Sequence, residues 1–205
     1  MRSDEELMAA YVGGSAVAFR ELFERHAPSL LRSMKRDLRA QEEAGDLVQQ
    51  CFLQLHRARL DFDPTQRLRP WLFTIALNLK REHFRRVKRR PETSLEGIHE
   101  PHEAERGALR FEAAQALARA LDQVPKQQRE VIELHWFDEL SFHEIAEVVG
   151  ATLSAVKVRA HRGYAKIREI LADLELGPGL SIPVVPDPEA PRNSELLADV
   201  EGKTP

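Results

Sequence analysis

The stretch 141–168, SFHEIAEVVGATLSAVKVRAHRGYAKIR, constrains the fold more than any other, because it holds two short helical periods separated by a glycine. Ser141 can accept hydrogen bonds from the first free N–H groups of a helix, and Glu144 completes the reciprocal capping pair. The first helix is predicted to bury a stripe of Phe142, Ile145, Ala146 and Val149. Gly150 then stands where a helix most readily ends in a left-handed residue. The pattern predicts two helices joined by a tight turn.

The second helix opens near Thr152 or Ser154 and has two chemically different faces. The face predicted to be buried holds Val156, Ala160, Gly163, Tyr164 and Ile167. The outer face holds Ser154, Lys157, Val158, Arg159, His161 and Arg162. A support helix, a glycine turn and a second helix with a small, basic outer face predict a helix-turn-helix, which lays its second helix in a DNA major groove. Its basic residues bind phosphates, and Val158 is small enough to contact a thymine methyl. The alternative is an ordinary helical hairpin with a solvated basic face.

Positive charge is clustered in this chain, although the formal net charge over 205 residues is −3. The segment 80–90, KREHFRRVKRR, has seven Lys or Arg against one Glu. Local basic patches of this kind indicate contact with nucleic acid even where the whole chain is acidic. The single cysteine, Cys51, leaves no disulfide framework and no Cys-based zinc site. Because no apolar run reaches membrane-span length and the N-terminus is too polar for a signal peptide, a soluble, cytoplasmic protein is expected.

Nearly every periodic segment has a helical period, so the sequence predicts an all-α fold of two small domains. The domains are expected at 1–90 and 108–176, and the second contains the helix-turn-helix. Residues 91–107 are predicted to form a flexible acidic linker, and residues 177–205 a disordered, proline-rich acidic tail.

Glycine and proline divide the first domain into helices. A short helix from Asp4 to Tyr11 is expected to stop at Gly13-Gly14. Ser15 caps the next helix, and its predicted buried stripe is Val17, Phe19, Leu22 and Phe23. Proline is tolerated in the first turn of a helix, so Pro28 is expected to open a further one. In the second domain, the predicted core includes Val131, Ile132, Leu134 and Trp136.

The helix at 46–59, DLVQQCFLQLHRAR, has an apolar face and a polar face. The apolar face holds Leu47, Val48, Cys51, Phe52 and Leu55. This position favours core packing over reactivity for the thiol. On the polar face, Leu53 lies among Asp46, Gln49 and Gln50. A lone exposed leucine is often harmless, but uncharged glutamines around it equally favour a surface that docks a partner.

A long helix opens at Pro70 with two turns that are apolar all round, and then becomes basic. A helix with buried first turns and basic later turns can lie across a phosphate backbone. The candidate DNA-contacting residues are Asn78, Lys80, Arg81, Arg85 and Arg86. A solubilising helix end favoured by the macrodipole is the alternative for the basic segment. Asn78 either bonds to a nearby backbone carbonyl or reads the edge of a base that has left the stack.

The sequence lacks the motifs of catalysis. Residues 143–147, HEIAE, begin like the HExxH helix of zinc proteases, but a glutamate replaces the second histidine. We find no glycine-rich phosphate loop and no pairing of a nucleophile with a base. The sequence therefore predicts no enzyme activity, no metal and no cofactor.

Four segments in order resemble the extracytoplasmic-function (ECF) group of bacterial sigma factors. They are DLVQQCFLQLHRA, RPWLFTIALNLKREHFRR, VPKQQREVIELHWFDELSFHEIAEVVG and SAVKVRAHRGYAKIRE. The resemblance runs from about Asp4 to Leu174. It implies a first domain that binds the polymerase clamp and the −10 promoter element, and a second domain that binds the −35 element. It also implies an acidic linker that threads the active-site and RNA-exit path of the polymerase.

The same resemblance implies roles for individual residues. Asp46, Gln49 and Gln50 would face the clamp. Asn78, with the loop 61–69, would capture a base flipped from the non-template strand. The upstream groove would be contacted by Lys157, Arg159 and Arg162. Gln50 stands where many members carry a glutamate, and Val158 and His161 occupy positions that vary between members, so the promoter sequence stays undetermined.

Two classes of function are therefore open. The first is a promoter-specificity subunit of core RNA polymerase, monomeric outside its complexes and controlled by an anti-sigma factor. The second is an autonomous helix-turn-helix regulator that binds an operator without polymerase, normally as a dimer. An autonomous regulator needs a ligand pocket or a dimer seam, whereas the first domain offers a glutamine-lined docking face and its own basic helix. The sequence favours the first class.

Overall fold

The computed structural model of the chain describes residues 2–38, 41–89 and 108–173. These ranges form eight α-helices and contain no strand, which confirms the predicted all-α fold. The helices are α1 (Asp4–Val12), α2 (Ala16–Asp37), α3 (Gln41–Arg57), α4 (Leu68–Arg89), α5 (Ala108–Asp122), α6 (Lys126–Trp136), α7 (Phe142–Val149) and α8 (Leu153–Asp173). The predicted linker and the predicted tail lie outside the described residues.

Tertiary contacts divide the chain into two compact units. In the first unit the described residues are 2–38, 41–89 and 133–156, and in the second they are 108–132 and 157–173. The predicted domain boundaries stay a prediction. In this structure residues 133–156, which include α7, belong to the same compact unit as α1 to α4, and α7 packs against α4.

A single long helix, α2, replaces the two helices that were expected on either side of Pro28. The residues it buries keep one continuous stripe across the proline: Ala18, Leu22, His26, Leu30, Ser33 and Met34. Burial of this stripe outweighs the one hydrogen bond that an internal proline removes. The predicted stripe was wrong at Val17, which is 64% exposed, and at Phe23, which is 38% exposed, whereas Leu22 is buried as predicted.

Helices α3 and α4 form the centre of the first unit together with α2. All five residues of the predicted apolar face of α3 are buried. From α4 the core receives Leu72, Phe73, Ala76 and Leu77. The Cys51 thiol lies 3.6 Å from the carbonyl oxygen of Leu72, and burial raises the pKa of this thiol to about 12. Cys51 is therefore a core residue, as predicted.

The short helix α7 packs against α4 and has the predicted caps. Ser141 and Glu144 form both halves of the capping box. Gly150 adopts the left-handed conformation, with φ 67° and ψ 46°. The buried stripe is Phe142, Ile145 and Val148 together with the cap residue Glu144, whereas Ala146 and Val149 are only half-buried. The stripe was therefore predicted correctly at its first two positions and misplaced at the last two.

The inner face of α8 is buried at every predicted position. Within the second unit, α8 lies against α6 at Gly163, where an added Cβ would lie 2.6 Å from Cδ1 of Ile132. Further along α6, Trp136 is 42% exposed, so its predicted place in the core is wrong. It is the last residue of α6, and the chain turns away from the helix immediately after it.

We predict that Gly163→Ala destabilises the protein by about 1–3 kcal/mol, because the new methyl group overpacks the contact with Ile132. The matched control is Gly45→Ala in α3, where an added Cβ meets nothing within 4 Å. That variant should stabilise the protein by about 0.5–1 kcal/mol, the helical cost of glycine. Urea unfolding followed by circular dichroism measures both changes. Equal effects of the two substitutions would show that the contact at Gly163 is not tight.

Candidate nucleic-acid interface

Helix α8 presents the outer face that the sequence predicts for DNA contact. The helix begins after Thr152, whose side-chain oxygen accepts a hydrogen bond from the backbone N–H of Ala155 at 3.2 Å. Four candidates, Ser154, Val158, His161 and Arg162, are exposed, and two, Lys157 and Arg159, are half-buried. The charged and polar atoms on this face suit a groove lined by phosphates and base edges.

Asn78 lies on the exposed side of α4, and its predicted base-reading role stays a prediction. Its neighbours Leu77 and Leu79 are buried, while Asn78 itself is exposed. Within the described residues its amide makes no hydrogen bond, so the expected alternative, a bond to a nearby carbonyl, is not what this structure contains. A free amide can donate and accept at once, as a base edge demands.

The basic residues of α4 divide into two groups. Arg85 and Arg86 are exposed, and Arg86 lies 3.7 Å from Glu82 one turn earlier, a weak surface pair. Arg81 is half-buried. Lys80 differs from these, because its ammonium pairs with Asp37 of α2 at 2.5 Å and both side chains are largely buried. In this arrangement Lys80 joins two helices and does not face solvent.

The loop between α3 and α4 is held in shape by its own polar side chains. Asp63 accepts hydrogen bonds from the backbone N–H and the hydroxyl of Thr65 at 2.9 and 2.7 Å. These hydrogen bonds lower the pKa of Asp63. Phe62 packs on Trp71 with ring centroids 5.1 Å apart, so the loop is anchored to the first turn of α4. The backbone N–H of Leu68 donates to Glu5 of α1 at 3.1 Å.

The outer face of α3 is the candidate partner-binding surface. Asp46, Gln49 and Gln50 are exposed, and Leu53 is 46% exposed in their midst. Phe23 of α2, which was expected to be buried, packs on Phe52 at 4.7 Å between ring centroids and remains partly exposed.

The sequence analysis missed a polar cluster around Asp138, in the turn between α6 and α7. This carboxylate is 2% exposed and accepts hydrogen bonds from Arg36 and from Ser33 of α2, the latter at 3.1 Å. Arg69 of α4 donates to the backbone carbonyl of Asp138 at 2.5 Å. Burial raises the pKa of Asp138, against the opposing effect of Arg36. Asp138 and Arg36 are about one hundred residues apart, so no local pattern could have predicted their pairing.

A second contact lies beside this cluster. The Glu144 carboxylate that caps α7 also lies 3.3 Å from the guanidinium of Arg67, just before α4. Burial alone would raise the pKa of Glu144. Hydrogen bonds from Ser141 and the charge of Arg67 outweigh the burial and hold that pKa below its usual value.

Within the described residues, no group of three or more His, Cys, Asp or Glu side chains is placed to hold a metal ion. None of the helices described is both long enough and apolar enough to cross a membrane.

Two family models match the chain, sigma-70 region 2 over residues 22–90 and sigma-70 region 4 over residues 114–167. The RNA polymerase sigma factor CarQ of Myxococcus xanthus is 35% identical over 175 residues, which cover 82% of this chain and 98% of the relative. The ECF RNA polymerase sigma factor SigM of Mycobacterium tuberculosis is 34% identical over 176 residues, which cover 86% of this chain and 88% of the relative.

Solved structures give the same result. The chain resembles CnrH, solved in complex with the cytosolic domain of CnrY, with a TM-score of 0.65 and 30% identity over 84% of this chain and 99% of that one. It also resembles the sigma factor RpoE of Bartonella quintana, solved with the anti-sigma factor NepR, with a TM-score of 0.61 and 25% identity over 75% and 96% of the two chains. Region 2 and region 4 thus occur in order along the chain, and relatives of 34–35% identity are matched over most of their length. The protein belongs to the ECF group of RNA polymerase sigma factors.

Proposed function

We propose that this sigma factor binds core RNA polymerase through the outer face of α3 and reads two promoter elements, one with α4 and the other with α8. The observation that carries the proposal is the exposed leucine on α3 that lies among two glutamines and an aspartate. Apolar groups set among polar side chains suit a protein partner, whereas a surface that binds DNA is rich in basic side chains. The proposal assigns this surface to Asp46, Gln49, Gln50 and Leu53.

The two DNA-reading helices have different tasks in this proposal. On α4, Asn78 captures a base extruded from the −10 element, and Arg85 and Arg86 hold the adjoining phosphates. Arg81 is close enough to the same face to join them. On α8, Lys157, Arg159 and Arg162 enter the major groove of the −35 element together with Ser154, Val158 and His161. Lys80 forms an ion pair with Asp37, which joins α4 to α2, and Lys80 could contact DNA only if this ion pair broke.

An anti-sigma factor is a further expected partner, since RpoE, a sigma factor of similar fold, was solved with one. We also infer that the protein acts in the cytoplasm, where polymerase and promoter DNA are found. It has no catalytic role of its own, and the polymerase supplies the chemistry.

The isolated protein should bind promoter duplex weakly, and core polymerase should restore tight binding. The −10 bases are paired in a duplex, so reading them costs a few kcal/mol of unstacking. Binding to polymerase offsets part of this unstacking free energy and fixes the distance between the two DNA-reading helices. Fluorescence anisotropy with labelled promoter duplex near physiological salt, with and without core enzyme, measures the difference. Tight, sequence-specific binding by the isolated chain, especially as a dimer on a palindrome, would instead establish an autonomous regulator.

Leu53→Ala should weaken binding to core polymerase by about 2 kcal/mol, the cost of truncating an apolar anchor in an interface. It should change the free energy of unfolding by no more than about 0.5 kcal/mol, because the side chain is exposed. Val17→Ala on α2, which truncates another exposed apolar residue, is the matched control and should change neither quantity. Affinity for core enzyme and thermal melting are the two measurements. A large loss of stability with unchanged affinity would rule Leu53 out as a polymerase contact.

Asn78→Ala should leave folding and polymerase affinity near wild type while slowing promoter opening. An extruded base that lacks its partner loses about 1–3 kcal/mol, equivalent to roughly five- to 150-fold in the opening equilibrium. Gln127→Ala, which removes an exposed amide from α6, is the control. Permanganate footprinting of the opened strand measures the effect. A variant that binds polymerase but opens the promoter normally would exclude Asn78 from base capture.

A further inference from the structure

We propose that Asp37 of α2 is a positioning residue for base capture: its ion pair with Lys80 fixes the rotation of α4 about its own axis and so aims the Asn78 amide at the extruded base. Lys80 then makes no contact with promoter phosphates, although it lies in the basic segment of α4. The inference rests on the proposed function, because it concerns how the base-reading residue for the −10 element is oriented.

The ion pair between Asp37 and Lys80 is largely enclosed by the protein. The Lys80 ammonium lies 2.5 Å from the Asp37 carboxylate, and the two side chains are 14% and 10% exposed. Charges that are shielded from water attract each other more strongly than the charges of an exposed surface pair. Burial raises the pKa of Asp138, and the charges of Arg36 and Lys80 oppose this rise. The Lys80 ammonium is therefore directed toward acids in the interior of the first unit.

Lys80 lies on the side of α4 opposite Asn78. Successive residues of an α-helix are rotated by about 100°, so Lys80 is about 160° around the helix from Asn78, whereas Arg85 is within about 20° of it. The exposure of these residues agrees with this geometry, since Asn78 and Arg85 are exposed and Lys80 is half-buried. A DNA strand held by Asn78 and Arg85 would therefore run along a face that Lys80 does not reach.

The ion pair holds α4 where the apolar packing of this helix ends. Its last buried residue is Leu79, and the residues at 80–89 are half-buried or exposed. Beyond this point His83 lies 3.6 Å from Glu43 of α3, but that carboxylate is 51% exposed. Hydrophobic packing has no preferred direction, whereas a charge-assisted hydrogen bond requires one. The pair between α2 and α4 therefore determines the rotation of the helix at Asn78 more closely than packing does.

Loss of this ion pair should leave the fold intact but let the Asn78 amide point in several directions. An amide reads a base edge through a donor and an acceptor at once, and both hydrogen bonds need a defined orientation. A side chain that must be ordered at each binding event binds with lower affinity. The loss should therefore act on promoter opening through Asn78, and not through polymerase binding.

The test measures promoter opening by permanganate footprinting of the holoenzyme on a promoter that it transcribes, with Asp37→Ala and Lys80→Met as the two variants. Each should lower the opening equilibrium about fivefold or more, a typical coupling between groups that act on one contact. In the Asn78→Ala background the same substitutions should change opening by less than about twofold, because the residue that they orient is gone. If the pair only stabilised the fold, its loss and the loss of Asn78 would multiply.

Two controls make the outcome specific. Asp37→Glu keeps a carboxylate within reach of Lys80 and should open the promoter as the wild-type protein does. Glu24→Ala removes an exposed acid from the same helix and should also leave opening unchanged. Thermal melting and affinity for core polymerase show whether each variant is folded and forms holoenzyme. Lys80→Met keeps the apolar stem of the side chain, so the test stays decisive where Asp37→Ala does not fold.

The salt dependence of promoter binding tests whether Lys80 touches DNA. The slope of log affinity against log salt should fall by about one in Arg85→Ala, which removes a phosphate contact, and should stay at the wild-type value in Lys80→Met.

Normal opening by both pair variants, effects that multiply with Asn78→Ala, or a lower salt slope in Lys80→Met would each overturn the positioning role alone. An Asn78→Ala variant that opens the promoter normally would overturn the proposed base capture, and the positioning role with it.

Discussion

A buried carboxylate needs donors around it, and this requirement determines where residues 133–156 can pack. The Asp138 carboxylate finds its donors, Arg36 and Ser33, on α2, and Arg69 of α4 donates to the backbone carbonyl of the same residue. An unpaired carboxylate at that depth would cost several kcal/mol. The turn therefore docks as a unit, and α7 comes to lie along α4.

Helix α4 serves three purposes along its length. Its first turns fill the core of the first unit and contact α7, its middle exposes Asn78, and its end carries the exposed arginines of the predicted phosphate contact. A helix can combine these roles because side chains three or four residues apart share a face, while the faces themselves are chemically independent. Lys80 belongs both to the predicted DNA-contacting segment and to the contact between α4 and α2. Its position in the basic run predicts a DNA contact, and its ion pair with Asp37 stabilises the junction with α2.

The sequence was informative wherever a local rule determines the structure. The capping box at Ser141, the left-handed Gly150 and the buried face of α8 all depend on residues within one or two turns of each other. Local rules failed where packing between distant segments decides. Pro28 predicted the start of a helix, but burial of the continuous stripe of α2 outweighs the effect of the proline. Trp136 was predicted to be buried, but it is exposed at the end of α6, where the chain leaves the helix.

In the candidate site, too, local patterns could be predicted from the sequence and contacts between distant segments could not. The outer face of α8 and the exposed leucine of α3 could be inferred from periodicity alone. The Asp138 cluster could not, because its members come from three separate segments and none belongs to a recognisable motif. Periodicity also places Lys80 among the DNA-facing residues, and only the tertiary structure reveals Asp37 beside it.

Amide hydrogen exchange over α3 tests most directly whether the outer face of this helix binds core RNA polymerase. In the free protein the side chains of Asp46, Gln49, Gln50 and Leu53 are exposed. A partner that binds the folded helix stabilises it against local opening and so slows the exchange of its backbone amides. Addition of core polymerase should therefore slow exchange in the peptides that cover residues 46–57. Unchanged exchange in these peptides, under conditions in which the protein binds core polymerase, would contradict the assignment of this surface.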